Sequence, residues 1–230
     1  MKIYLYITII YSIVFFASCS NMNDMHDPYM KKGETNYIGK IDSLYAYSGY
    51  DKVKLIYWIT DPRAVTTTIY WNDKEDSVVV NIPKHAPSDT LFTLLDPIPE
   101  SDYTFKFINR DDQGDRSIYY EKFINVYGKF FSSTLTNRVV KSAALNSSDE
   151  LVVTFGGSND SKEIGIEIEY MDLDGNSANL FIASEDLIAN MVIPNFDKNY
   201  DAFYSTCYKP YLEAIDVFKA DKAQLYTVSE

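Results

Sequence analysis

The sequence predicts an all-β chain that folds into two tandem β-sandwiches after an N-terminal export signal. Short runs with strand periodicity follow one another, and turn residues separate them. Part of this pattern recurs roughly 100 residues later, as expected for two copies of one plan. The hydrophobic content of 46% and the 20 tyrosines are typical of a chain that buries a core.

The first half of the chain consists of alternating runs joined by turns. In residues 53–59 the side chains of Val53, Leu55, Tyr57 and Ile59 share one face, since successive strand residues point to opposite sides. Further strands are predicted at 66–71, 77–82, 90–95, 103–107 and 118–126, and the polar turn 72–76 makes a hairpin of two of them. This succession of short strands without a convincing helix favours a β-sandwich.

Tyr103 opens a strand shortly after the turn at Leu95-Asp96-Pro97. This arrangement resembles the tyrosine corner of immunoglobulin-like and fibronectin type III sandwiches, in which the hydroxyl bonds to backbone upstream. We therefore assign that role to Tyr103.

The second half repeats the plan. A strand at 151–155 is followed by the loop 156–160 and by a run in which isoleucines alternate with Gly165, Glu167 and Glu169. The segment 168–172 echoes 69–73, and each leads across a polar turn to a strand that begins with serine, at Ser77 and Ser177. A second sandwich is the expected result.

The N-terminal segment has the pattern of an export signal. Residues 3–17 are an apolar run of 15 preceded by Lys2, shorter than the roughly 20 residues that span a bilayer. We predict a signal peptide at 1–18 and a lipidated flexible tether at 19–36. Sandwiches at 37–128 and 129–221 and a tail at 222–230 complete the predicted organisation.

Phe16-Ala17-Ser18-Cys19 resembles a bacterial lipobox, whose cysteine sulfur receives a lipid. The alternatives are an uncleaved anchor helix or an ordinary signal peptide with an incidental cysteine. Lipidation of Cys19 implies the membrane as a partner. It also leaves Cys207, expected to be a small buried hydrophobe, without a disulfide partner.

Several motifs resemble one family of Bacteroides-type lipoproteins, domain of unknown function 4998, which has a fibronectin type III-like module. They are Tyr37 to Ser43, Lys52 to Leu55, Asp61-Pro62, Ile69 to Asn72, Asp76-Ser77, Tyr127-Gly128, Leu135, Asn137-Arg138, Ser142-Ala143 and Ala214-Ile215-Asp216. The resemblance covers roughly residues 37–221, with Tyr57 at the position of the family's tryptophan. It implies the fold and a setting on the bacterial outer membrane facing the cell exterior, with which the acidic Asp24 and Asp27 are compatible.

Composition and motifs argue against several chemistries. The net charge of −12 would repel nucleic acid. The two histidines, His26 and His85, lack neighbours for a zinc site or a catalytic triad. We therefore predict no enzyme, catalytic residue, metal or cofactor.

Two acidic patterns have ordinary structural explanations. Segments 109–114 and 172–175 lack later ligands of a calcium loop, so hairpin turns are expected. Glu167 and Glu169 could form a glycosidase pair, but alternating glutamates on a short strand are more typical of a solvated face.

Trp58 and Tyr70 are the candidate ligand-contact aromatics, because both have the opposite parity to the core positions. Exposed rings stack on sugars and anchor interfaces; the alternative is that such aromatics pack between the domains or cover loose surface. The expected function is a non-catalytic spacer or accessory binding module for glycan. A subunit of a surface protein assembly or fimbria, and a polysaccharide hydrolase, are the alternatives.

Overall fold

The structure is a computed structural model, and it describes residues 36–83, 90–158 and 160–228. Antiparallel β-sheets make up most of the described chain. The predicted signal peptide, Cys19 and the tether up to residue 35 lie outside these residues, as do His26 and His85. Residues Ile38–Glu230 form one compact unit. Within the described ranges, no helix combines the length and apolar character needed to span a bilayer.

Seven strands make the first sandwich. They are β1 (Ser43–Gly49), β2 (Lys52–Trp58), β3 (Thr66–Trp71), β4 (Asp76–Asn81), β5 (Thr90–Leu95), β6 (Ser101–Arg110) and β7 (Tyr120–Val126). One sheet has the order β1-β2-β5 and the other β4-β3-β6-β7. Each strand predicted in the first half is thereby confirmed as a strand, and its ends differ from the prediction by at most a few residues.

The core of this sandwich lies between the two sheets, as the alternation in β2 predicted. Val53, Leu55 and Tyr57 are completely buried, and the Tyr57 ring lies 5.8 Å from that of Phe107 on the facing sheet. Tyr57 is therefore a core side chain, and the Tyr57 hydroxyl and Thr93 Oγ1 are 3.1 Å apart. A buried tyrosine needs such a partner for its hydroxyl.

The tyrosine corner is confirmed. The Tyr103 hydroxyl donates a 2.9 Å hydrogen bond to the carbonyl oxygen of Pro99, four residues upstream. The bond ties the start of β6 to the turn that precedes it.

The second sandwich follows a short helix, α1 (Lys129–Thr134). Its strands are β8 (Val140–Leu145), β9 (Leu151–Phe155), β10 (Glu163–Met171), β11 (Ser177–Ala183), β12 (Met191–Val192), β13 (Ala202–Tyr208), β14 (Phe218–Lys219) and β15 (Ala223–Tyr226). One sheet has the order β12-β9-β8, and the other places β10 between β11 and β13, with β14 and β15 both pairing with β13.

The predicted repeat is confirmed by the topology. β3 pairs with β4 and β6 in the first sandwich, and β10 pairs with β11 and β13 in the second. The two segments that echo each other in sequence are thus central strands of equivalent sheets.

The predicted tail at 222–230 is wrong over Ala223–Tyr226, which form β15. This strand pairs with β13, and its Leu225 is buried in the second core. The run is too short to reveal its periodicity, and only pairing with a distant strand makes it β-structure.

A cluster of aromatic rings, here called the joint, connects the two sandwiches. Its members are Tyr50, Tyr127, Phe131, Tyr211 and Phe218. Phe218 is only 2% exposed, and its ring lies 5.0 Å from Phe131, 5.9 Å from Tyr50 and 6.2 Å from Tyr127. The joint thus buries a ring from the second half among rings from the first half and from α1.

Backbone hydrogen bonds reinforce the joint. Asp216 Oδ2 accepts a 2.7 Å bond from the Tyr50 amide and lies 3.0 Å from Lys52 Nζ. The Ile215 amide donates to the Ser48 carbonyl at 2.8 Å, and the Ser48 amide donates to the Tyr211 hydroxyl. The family motif Ala214-Ile215-Asp216 is therefore part of the contact between the sandwiches.

Helix α1 owes its position to Glu100, whose carboxylate accepts hydrogen bonds from the amides of Phe130 and Phe131 at 2.6 and 2.8 Å. The first amides of a helix lack partners within the helix. A carboxylate about 30 residues upstream cannot be read as a cap from local sequence, which is why α1 was not predicted.

The linker after α1 is also held against the second sandwich. Asn137 Oδ1 accepts from the Thr206 amide at 2.7 Å, and the Arg138 amide donates to Thr206 Oγ1 at 2.8 Å. Arg138 Nε lies 3.1 Å from Glu163 Oε1, so the two side chains form an ion pair, although the N–H group does not point at the oxygen closely enough to make a hydrogen bond. The Asn-Arg motif thus docks the linker onto β13.

We predict that Tyr103→Phe lowers the free energy of unfolding by about 1 kcal/mol, because the Pro99 carbonyl loses its donor. Urea denaturation measures the change. Tyr45→Phe is the control, since Tyr45 is 56% exposed; an equal loss in both variants would contradict the role of the corner.

We predict that Phe218→Ala lowers the free energy of unfolding by about 3–5 kcal/mol, because it leaves a cavity in the joint. Small-angle scattering should show a broader range of orientations of the two sandwiches. Phe130→Ala, on α1 but 75% exposed, should cost less than about 0.5 kcal/mol. The joint would not be the connecting element if the two variants scattered alike.

Candidate functional site

Trp58 lies on the solvent-facing side of the β1-β2-β5 sheet, as its parity predicted. Its Nε1 donates a 2.9 Å hydrogen bond to Thr90 Oγ1, and its ring meets that of Tyr45 edge to face, with centroids 5.6 Å apart. Contacts to both neighbouring strands hold the half-buried indole in one orientation.

Strand pairing collects further nonpolar side chains around Trp58. Tyr45 pairs with Ile56 and Ile56 with Phe92, while Lys54 stands between Tyr47 and Leu94. We call this surface the outer aromatic face; it consists of Tyr45, Tyr47, Ile56, Trp58, Phe92 and Leu94, with the exposed Lys54 between Tyr47 and Leu94. Phe92, Tyr45 and Leu94 are 71%, 56% and 55% exposed, so the face presents a nonpolar surface to solvent.

Tyr70 lies on the other sheet of the same sandwich. It alternates with the buried Ile69 and pairs with Ser77 and Lys106. Lys106 Nζ in turn lies 3.2 Å from Glu121 Oε1, so the surroundings of Tyr70 are polar. Trp58 and Tyr70 point away from a shared core in opposite directions and are not part of one surface.

The sequence reasoning missed Phe92 and Leu94, although their alternation with Leu91, Thr93 and Leu95 was available as a signal. In a strand that is nonpolar on both sides, alternation alone does not identify the exposed face. Pairing with Trp58 and its neighbours in β2 resolves the choice.

The two glutamates considered as a glycosidase pair are both engaged in ion pairs. Glu167 Oε1 lies 2.6 Å from Lys219 Nζ and accepts from Asn179 Nδ2 at 2.9 Å, and Glu169 pairs with Lys222. The hydrogen bond from Lys219, aided by that from Asn179, lowers the pKa of Glu167. A general acid needs a raised pKa, so this arrangement is unsuited to acid catalysis.

The acidic loops act as turns. Asp111 Oδ1 accepts from the amides of Gln113 and Asp115, and Asp172 Oδ1 accepts from those of Asp174 and Asn176. Such side-chain to backbone bonds stabilise tight turns. Across residues 36–83, 90–158 and 160–228, no group of three or more His, Cys, Asp or Glu residues is placed to hold a metal ion.

Cys207 is a buried free thiol on β13, with an exposed fraction of 1%. Burial raises the pKa of this thiol to about 11. Its expected role as a small buried hydrophobe is confirmed. Cys19, the predicted lipidation site, is outside the described residues and stays a prediction.

Three of the solved structures that match the chain do so at low sequence identity. The FN1–FN3 segment of chicken CNTN1 has a TM-score of 0.43 at 9% identity, covering 84% of this chain and 65% of its own length. A two-domain fibronectin type III segment of chicken tenascin has a TM-score of 0.31 at 9% identity, and the match covers 81% of this chain and 97% of the tenascin segment. Dimeric latent PorU from Porphyromonas gingivalis has a TM-score of 0.32 at 11% identity, and the match covers 86% of this chain and 21% of the PorU chain.

The comparison with curated proteins finds no match. The family model of DUF4998, a domain of unknown function, matches residues 19–218, nearly all of the sequence after the predicted signal peptide. The resemblance inferred from the motifs is confirmed, and the chain, with its two fibronectin type III-like sandwiches, belongs to the DUF4998 family.

Proposed function

We propose that this protein is a non-catalytic, lipid-anchored accessory module of the bacterial outer membrane that binds glycan at the cell exterior through its outer aromatic face. The observation that carries this proposal is the set of nonpolar side chains around Trp58 on one exposed sheet. Tyrosine and tryptophan rings offer flat nonpolar surfaces with a polar group at the edge, which suits the faces of sugar rings.

A fixed geometry between the sandwiches supports this role. The joint and the Asn137-Arg138 linker connect the first sandwich to the second through buried rings and hydrogen bonds. A ligand bound on the outer aromatic face would therefore be held in a defined orientation to the rest of residues 38–230.

The lipid anchor rests on the sequence around Cys19. The small residues Ala17 and Ser18 precede the cysteine, and the apolar run before them is of signal-peptide length. Acyl chains contribute about 0.8 kcal/mol of membrane affinity per buried methylene, so two or three chains hold a protein firmly.

Membership of a surface protein assembly is the second candidate, favoured by the strong exposure of Phe92 and Leu94. These two side chains offer no hydrogen-bonding groups, and a protein partner would suit them better than a sugar. Each described strand pairs with another strand of the same chain. No described strand needs a partner from another subunit, so we place the contact of the assembly on the outer aromatic face.

We predict that Cys19→Ala releases the protein from membranes, because the sulfur that would carry the lipid is lost. Fractionation of cells shows whether the variant leaves the membrane pellet, and protease treatment of intact cells shows whether the wild type faces the exterior. Ser18→Thr, which retains the thiol, is the control for changes near the cleavage site. Membrane retention of Cys19→Ala equal to that of wild type would refute the anchor.

We predict that Trp58→Ala weakens binding to a responsive glycan on a glycan array about tenfold or more, since a central aromatic anchor is removed. Tyr70→Ala is the matched control, because Tyr70 is also a half-buried outward ring on a central strand but lies on the opposite sheet. Circular dichroism checks that both variants fold.

Equal weakening by Trp58→Ala and Tyr70→Ala would contradict binding through the outer aromatic face. A blank array, together with a surface protein crosslinked through a photoreactive group at position 92, would replace the glycan proposal with the assembly candidate.

A further inference from the structure

An open depression with a volume of about 710 Å³, here called the cleft, lies on the second sandwich, where β10 ends and β13 begins. It is lined by both nonpolar rings and polar side chains, among them Glu169, Asn199, Tyr200, Asp201, Phe203 and Lys222. The outer aromatic face, which lies on the first sandwich, contributes no residue to it.

The walls of the cleft are held in place by hydrogen bonds. Asp197 Oδ1 accepts from both the backbone amide and the side-chain amide of Asn199, at 2.9 and 2.8 Å. Asp201 accepts from the Val228 amide at 2.9 Å and from Gln224 Nε2 at 3.3 Å. A ligand would therefore meet polar groups that are already ordered.

Lys222 and Glu169 form an ion pair at the cleft, with the Lys222 ammonium 5.6 Å above the Phe203 ring. The pair places a donor group and an acceptor group side by side. Asn199 adds an amide, and Asp201 adds a second carboxylate. Tyr200, 48% exposed, presents an aromatic ring at the same place.

This combination favours a ligand with many hydroxyl groups. A hydroxyl both donates and accepts, so it can use carboxylates and an ammonium or amide in the same site. An anionic ligand would be repelled, because the two carboxylates of Glu169 and Asp201 outnumber the single ammonium of Lys222. A ring with nonpolar C–H faces could lie against Tyr200.

We propose that the cleft is a binding site for a neutral saccharide, with Tyr200 as its aromatic contact and Glu169, Asp201, Lys222 and Asn199 as its hydrogen-bonding groups. The site goes beyond the proposed function because it is on the other sandwich. It does not depend on the outer aromatic face.

The test is isothermal titration of the detergent-solubilised full-length protein with neutral tetrasaccharides of glucose, mannose and galactose, and with a uronic-acid tetrasaccharide. We expect saturable binding of at least one neutral probe and at least tenfold weaker binding of the uronic-acid probe. Tyr200→Ala should weaken the neutral interaction about tenfold, and Glu169→Gln should weaken it while keeping the shape of the side chain. Thermal unfolding checks that both variants fold.

Trp58→Ala distinguishes the two proposals. Binding that is retained in Trp58→Ala and lost in Tyr200→Ala supports the cleft. Binding lost in Trp58→Ala and unchanged in Tyr200→Ala supports the outer aromatic face and overturns the cleft. Absence of binding by every neutral probe, or equal binding of the uronic-acid probe, also overturns the cleft proposal.

Discussion

The burial of Phe218 in the joint is the contact on which the arrangement of the two sandwiches depends. Its ring comes from a two-residue strand near the end of the chain, and its neighbours Tyr50, Tyr127 and Phe131 come from three earlier segments. Beside Tyr127, Gly128 leaves room for the side chain of Asp51, because a Cβ there would lie 2.5 Å from Asp51 Oδ1. Two small sandwiches linked in tandem would otherwise be free to move independently.

Many carboxylates of this acidic chain hold backbone in place. Glu100 caps α1, Asp216 accepts from the Tyr50 amide, and Asp61 accepts from the Gly39 amide at 2.6 Å. The hydrogen bond from Arg63 holds the pKa of Asp61 well below its ordinary value. These carboxylates therefore serve to build turns, a helix cap and the joint.

The two surfaces proposed for binding differ in their chemistry. The outer aromatic face is broad and nonpolar, with Tyr45 and Trp58 in contact, whereas the cleft mixes a ring with ordered carboxylates, an amide and an ammonium. Because both are on residues 38–230, which form one compact unit, each would act from a fixed position.

Local sequence determined the strands with clear alternation, the hairpin turns, the tyrosine corner at Tyr103 and the buried side of β2. These features depend on neighbours within a few residues, so periodicity and turn chemistry reveal them. Tertiary structure decided the partners: it placed Trp58 and Tyr70 on opposite sheets, added Phe92 and Leu94 to the outer aromatic face, and made β15 from a predicted tail. It also formed α1 and the joint, because their stabilising contacts, such as Glu100 with Phe131 and Phe131 with Phe218, join residues far apart in the chain.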